Sequence, residues 1–142
     1  MRIARQLEDS AFREFTEILF AVSKERIRLG KCGEEVAADF LKEQGYKILA
    51  RNYKSHFGEI DIIAWDKDTL CFVEVKTRRS QRFGTPQEAV TVSKQRQIAR
   101  SALSFLKEKA LLNKKARFDV VSILSLKDET KRELIKDAFE LE

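Results

Sequence analysis

A chain of 142 residues is long enough for one domain with a real hydrophobic core. Its net charge of +5 gives a modest bias toward anionic partners, without choosing between nucleic acid and an acidic membrane surface. Cys32, Cys71 and the lone His56 exclude a disulfide framework and a zinc site, so any metal should be a hard ion held by carboxylates.

Both thiols are expected to pack as small hydrophobes in a reducing compartment. Arg2, Arg5, Glu8 and Asp9 interrupt any signal-peptide core, and no apolar run approaches a membrane span. A cytoplasmic protein with no membrane partner is expected.

Leu7, Ala11, Phe15, Ile18 and Val22 recur at helical spacing and predict an amphipathic helix over 7–27. Such a stripe must be buried, on the domain itself or against a second copy. A second helix is predicted over 33–44, with Val36, Ala37, Phe40 and Leu41 inward and Gly45 as a left-handed cap on which Tyr46 packs back. Strands follow over 46–50, 58–65 and 70–77, the last two joined by a turn at Asp66-Lys67-Asp68-Thr69. A helix over 93–112, capped by Ser93, presents Ile98, Ala102, Phe105 and Ala110. A strand over 117–124 and a short one within 132–139 complete the chain. The order α-α-β-β-β-α-β implies a mixed sheet flanked by helices. Residues 1–28 are read as a helical extension and 29–142 as the domain.

The informative stretch is the hairpin. With the turn over 66–69, Trp65 faces Leu70, Ile63 faces Phe72, Asp61 faces Glu74 and Glu59 faces Lys76. Alternation then puts Asp61, Glu74, Glu59 and Lys76 on one face. Opposed carboxylates destabilise a sheet, more so when buried, and a divalent cation between them is the simplest compensation. A bulge would move Asp61 to the other face. The hairpin alone leaves a bland alternative: Glu59–Lys76 as a solvated ion pair, with Asp61 and Glu74 exposed. Against it, the strand carrying Glu74 is apolar on both faces up to that residue, as a buried strand is. Glu34 edges the apolar face of its helix, whereas Glu35 lies on the wet face. Both acids suit a helix N-terminus, but only Glu34 is aimed inward.

These residues carry a resemblance. Gly30-x-x-Gly33-Glu34-x-x-Ala37, Gly45-Tyr46, Asn52, Gly58-Glu59-Ile60-Asp61, Phe72-Val73-Glu74-Val75-Lys76-Thr77-Arg78, Phe83-Gly84, Lys94 and Arg117-Phe118-Asp119-Val120 together resemble the YraN-type family of bacterial proteins, over roughly 29–139. That family is similar in pattern to archaeal Holliday-junction resolvases and the PD-(D/E)xK nuclease superfamily. The resemblance implies a restriction-endonuclease-like fold, with Asp61 as the acid of the second strand, Glu74-x-Lys76 as the ExK pair and Glu34 as the helix glutamate. Ile60 stands where the superfamily usually has proline.

Lys76 leads into Thr77-Arg78-Arg79-Ser80-Gln81-Arg82, and Lys94 and Arg96 fall in the first turn of the later helix. Arg78, Arg79, Lys94 and Arg96 are therefore expected to meet phosphate beside a helix N-terminus. Lys107, Lys109, Lys114 and Lys115 are read as a solvated face. Tyr46, Tyr53, Trp65 and most phenylalanines fall on apolar faces, so no stacking platform is expected and recognition should go through backbone charge and shape.

The reading is a Mg²⁺-dependent nuclease, with Mn²⁺ able to substitute. Asp61, Glu74 and the Val75 carbonyl would hold the metal, Glu34 a second metal or a metal-bound water, and Lys76 would position or help deprotonate the attacking water. Its substrate would be DNA, with branched DNA implied by the resemblance alone. A non-catalytic nucleic-acid-binding module and a protein-interaction scaffold are the alternatives. The N-terminal stripe suggests a homodimer.

Overall fold

The computed structural model describes residues 2–79, 84–86 and 88–140, with the side chains of 2–12 and 22–31 left out. In chain order it contains α1 (Arg2–Glu43), β1 (Lys47–Ser55), β2 (Gly58–Asp66), β3 (Thr69–Arg78), α2 (Val92–Glu108), β4 (Lys115–Ser125) and β5 (Thr130–Ile135). The chain divides into two compact units, Met1–Cys32 and Gly33–Glu142. No described helix is long and apolar enough to cross a membrane.

One helix replaces the two expected before the sheet. Neither Gly30 nor Gly33 ends it, because a single glycine costs a helix only about 1 kcal/mol and no proline reinforces it. In the first unit, Phe15 is 60% and Ile18 57% exposed. Leu7, Ala11 and Val22 fall outside the described side chains.

In the second unit, α1 ends as its sequence predicts. Gly45 has φ 91°, its N–H donates to the Lys42 carbonyl, and the Tyr46 N–H donates to the Leu41 carbonyl. This is a Schellman cap, and Tyr46 is buried against Leu41 behind it.

The strands form one sheet in the order β1-β2-β3-β4-β5. All neighbours are antiparallel except β3 and β4, which run parallel and are joined across α2. The central strands β2, β3 and β4 are buried on both faces. Ala37, Ala38 and Leu41 of α1 cover Ile62, Ala64, Cys71, Val73 and Val121. Ile98, Ala102 and Phe105 of α2 cover Ile63, Leu70, Phe72 and Val120. Each large side chain so buried contributes roughly 1.5–3 kcal/mol. The central strand β3 is thus apolar on both sides for the reason its sequence suggests. Cys71 is buried as expected, its thiol pushed up to about 12 by desolvation, whereas Cys32 is exposed and does not pack as a hydrophobe.

Several boundaries differ from expectation, among them β5, which runs over Thr130–Ile135 and so starts before 132. The strand predicted over 46–50 extends to Ser55, through a bulge between Ile48 and Ala50. The cap of α2 is Thr91, whose hydroxyl accepts from the Lys94 N–H, rather than Ser93. The helix also stops at Glu108, because Ala110 turns left-handed at φ 55° and the Leu111 N–H reaches back to the Leu106 carbonyl. An alanine at a position that favours glycine gives the sequence no stop signal.

Candidate active site

The hairpin register holds only part of the way. Pairs run from Asp66↔Thr69 through Trp65↔Leu70 and Ile63↔Phe72 to Ile62↔Val73, and there the β2–β3 ladder ends. Beyond it β2 stays paired with β1 to Gly58, and β3 stays paired with β4 to Arg78. The two central strands therefore part at Asp61 and Glu74. The Val75 N–H finds the Asp61 carboxylate, at 2.8 Å, instead of a backbone carbonyl. Alternation slips at the same place: Ile62 belongs to the α1 side of the core, and Ile60 to the α2 side. Asp61 sits at the slip, and its charge reaches acids on both sides.

On the α2 side lies Glu74, only 5% exposed. Its carboxyl lies close enough to Asp61 for the two charges to oppose each other. Lys76 Nζ stands 3.7 Å and Lys94 Nζ 3.9 Å from its Oε1, longer than tight ion pairs. Burial first, then the charge of Asp61, push the Glu74 carboxyl up to about 7 against the pull of the two lysines.

On the α1 side lies Glu34. Gly33 before it packs so closely on Thr77 of β3 that an added Cβ would collide with the hydroxyl. That contact brings the start of the unit's helix, and Glu34 with it, against the strand that carries the site. Desolvation and then Asp61 raise the Glu34 carboxyl above its usual range. With its amide nitrogen turned to the acids, Asn52 donates to both Glu34 oxygens, at 3.2 and 3.0 Å, and to Glu59 Oε1 at 3.0 Å. The opposite orientation would set its carbonyl oxygen against carboxylates. Asn52 reaches this position through a left-handed backbone, φ 52°, which asparagine tolerates better than most residues.

The expected single face of Asp61, Glu74, Glu59 and Lys76 is thus corrected. Glu59 goes to Asn52 and Lys76 to Glu74, because the ladder that would have opposed Glu59 to Lys76 has already ended. The bland alternative, a Glu59–Lys76 ion pair, is not formed among the described residues, and Glu74 is buried.

The donor chemistry suits a hard cation. Among the described residues no three Asp, Glu, His or Cys side chains close into a ready cage. Asp61 and Glu74 supply a close pair of carboxyls, and Glu34 stands behind them with its oxygens engaged by Asn52. Magnesium takes such a set readily, since it commonly binds one or two carboxylates and fills its shell with water and substrate oxygens.

The expected phosphate contacts divide. Arg79 and Arg96 are exposed. Lys94 points at Glu74 and belongs to the site itself. Arg78 is partly buried and donates to the Gly84 carbonyl at 2.7 Å, tying the far end of the basic loop. Ser80, Gln81 and Arg82 lie outside the described residues. Asn52 as the bridge between Glu34 and Glu59 leaves no signal in the sequence beyond its place in the family motif. Nor does any local spacing announce the buried network in which Arg117 donates to Asp66, Asp119 and the Tyr46 hydroxyl.

Residues 33–123 match the model of the "Uncharacterised protein family UPF0102". A UPF0102 protein of Syntrophus aciditrophicus is 56% identical over 82% of this chain and 92% of its own length. One of Desulfosudis oleivorans is 49% identical over 82% and 93%. Another, GSU0650 of Geobacter sulfurreducens, is 50% identical over 80% and 89%. With Glu34, Asp61, Glu74 and Lys76 all inside the matched span, the chain belongs to UPF0102, the family of the YraN-type proteins.

Proposed function

We propose that this protein is a metal-dependent nuclease of the restriction-endonuclease-like, PD-(D/E)xK type, hydrolysing DNA phosphodiesters. The observation that supports it best is Glu74. A carboxyl is buried where two central strands part, against a second carboxyl, with two lysines at arm's length. A fold that only needed stability would put an apolar side chain there.

Asp61 and Glu74 would hold Mg²⁺ or Mn²⁺, with the Val75 carbonyl as a further donor and Glu34 as an outlying acid for a second ion. A divalent ion bound there would polarise the phosphate and lower the pKa of water. The Asp61–Val75 hydrogen bond fixes one carboxylate in place before substrate arrives. Lys76 positions the attacking water and stabilises the negative charge that grows on the phosphate oxygens. Lys94 adds a second cation on the same side of Glu74. Arg79 and Arg96 meet the backbone around the scissile bond.

The test combines binding and chemistry. Millimolar Mg²⁺ or Mn²⁺ should raise the melting temperature of the wild type and not of Asp61→Asn, since a ligand of the folded state stabilises by mass action. Linear, flapped and four-way DNA should be cut by the wild type and spared by Lys76→Ala. A wild type indifferent to both ions would overturn the reading. The exposed Phe15 and Ile18 of α1 support a homodimer. Sedimentation at micromolar concentration checks this, a monomer being the contrary result.

A further inference from the structure

Along α2, Arg96, Arg100, Leu103 and Lys107 follow one another at the spacing that lines up a single helix face, with Val92 one turn before them. Val92 is 61% and Leu103 46% exposed. Against this face stands the β1–β2 turn, whose Phe57 ring is 47% exposed. Two open depressions follow the seam and share Phe57 and Arg100. One, of about 410 Å³, adds Val92, Ser93, Arg96 and Gln97; the other, of about 210 Å³, adds Leu103, Ser104 and Lys107. No carboxylate lines either. Among the described residues the side chains of Arg96, Arg100 and Lys107 take part in no ion pair or hydrogen bond.

The turn is fastened to the helix. The Ser55 hydroxyl donates to Ser101 Oγ at 2.8 Å and accepts the Phe57 N–H at 3.1 Å. Gln97 occupies the space that a side chain at Gly58 would need, and donates to the Glu59 carbonyl at 3.4 Å. The His56 ring meets the Phe57 ring edge-on at 5.5 Å. An exposed aromatic ring is therefore held in a fixed place beside a row of unpaired cations.

We propose that this seam binds an unpaired nucleic-acid strand, one base stacking on Phe57 while Arg96, Arg100 and Lys107 hold successive stretches of its phosphate backbone. The row spans about 16 Å along the helix axis. A duplex could use the cations but not the ring, because its bases are already stacked; an unpaired base offers its π-face. The seam leads to the candidate site, since Ser93 and Gln97 flank Lys94, whose ammonium faces Glu74. A solvated basic helix face alone would not explain the fastened, uncovered ring. The inference rests on the nuclease reading for what the strand is delivered to, and on the seam itself for the binding.

The test is anisotropy of a labelled oligothymidylate and of a blunt duplex with the full chain, at low salt and in EDTA. The wild type should bind the oligothymidylate. Phe57→Ala should weaken that binding about tenfold and leave the duplex nearly unchanged, while Phe57→Trp keeps the wild-type affinity. Arg96→Gln with Arg100→Gln should weaken both ligands and flatten the salt dependence. No oligothymidylate binding, an unchanged Phe57→Ala, or an equal loss on both ligands would overturn the proposal. The EDTA keeps this separate from cleavage. A Phe57-dependent preference without any Mg²⁺-dependent cutting would sink the nuclease reading alone. Cutting with no role for Phe57 in strand binding would sink this one alone.

Discussion

The sheet carries two buried acidic centres, and they are built in opposite ways. Near the β2–β3 turn, Asp119 is fully buried and fully answered. Its oxygens accept two bonds from Arg117 at 2.8 and 3.0 Å, one from the Tyr46 hydroxyl at 2.8 Å and one from the Asp137 N–H at 3.0 Å. Arg117 also donates to Asp66, which Lys136 contacts from outside, and the guanidinium holds the Asp66 carboxyl below the usual carboxylate range. At the parting of β2 and β3, Glu74 is almost as buried but, among the described residues, answered only by two lysines beyond 3.5 Å and opposed by Asp61. Burial of charge is common to both. The first is compensated completely and the second is not, which is the difference expected between architecture and the cation site proposed above.

The comparison is open to attack at its strongest point first. Arg117→Met should lower stability by about 3–5 kcal/mol, because it strands a buried carboxylate without its cation. Lys94→Met at the other centre should cost under about 1 kcal/mol, since its contact with Glu74 is long and its side chain partly solvated. Urea unfolding measures both, and equal losses would erase the distinction.

A second, smaller effect concerns pH. Protonated Glu74 suits its buried site, so the folded state binds that proton more tightly than the unfolded chain, whose carboxyl has the ordinary value of 4.5. The stability this confers is fully present below about pH 4.5 and is lost as pH rises through about 7. In metal-free protein Glu74→Gln should remove that decline and melt higher than wild type at about pH 8. The response to Mg²⁺ should have the opposite sign, growing as pH rises through about 7 and the carboxylate forms. Parallel melting curves for the two proteins across this range would show that Glu74 is compensated after all.

Much of the frame was legible in the sequence. Gly45 announced the end of α1, because only a left-handed residue completes that cap. The double-sided apolar run of β3 announced a central strand, and the four-residue turn fixed the register from Asp66↔Thr69 to Ile62↔Val73. Local chemistry determines such features. The end of α2 was not legible, since Ala110 carries no trace of the backbone it adopts. For the site, Glu34, Asp61, Glu74 and Lys76 stood out as residue types in a family pattern. Which of them meet was decided by the point where β2 leaves β3, a property of two strands held by different outer neighbours. That divergence sent Glu59 to Asn52 and gave Asp61 the Val75 N–H. The packing of α2 on the sheet brought Lys94 to Glu74 across twenty residues of chain. Pairings between distant segments depend on how whole elements dock, and no spacing along a single segment encodes them.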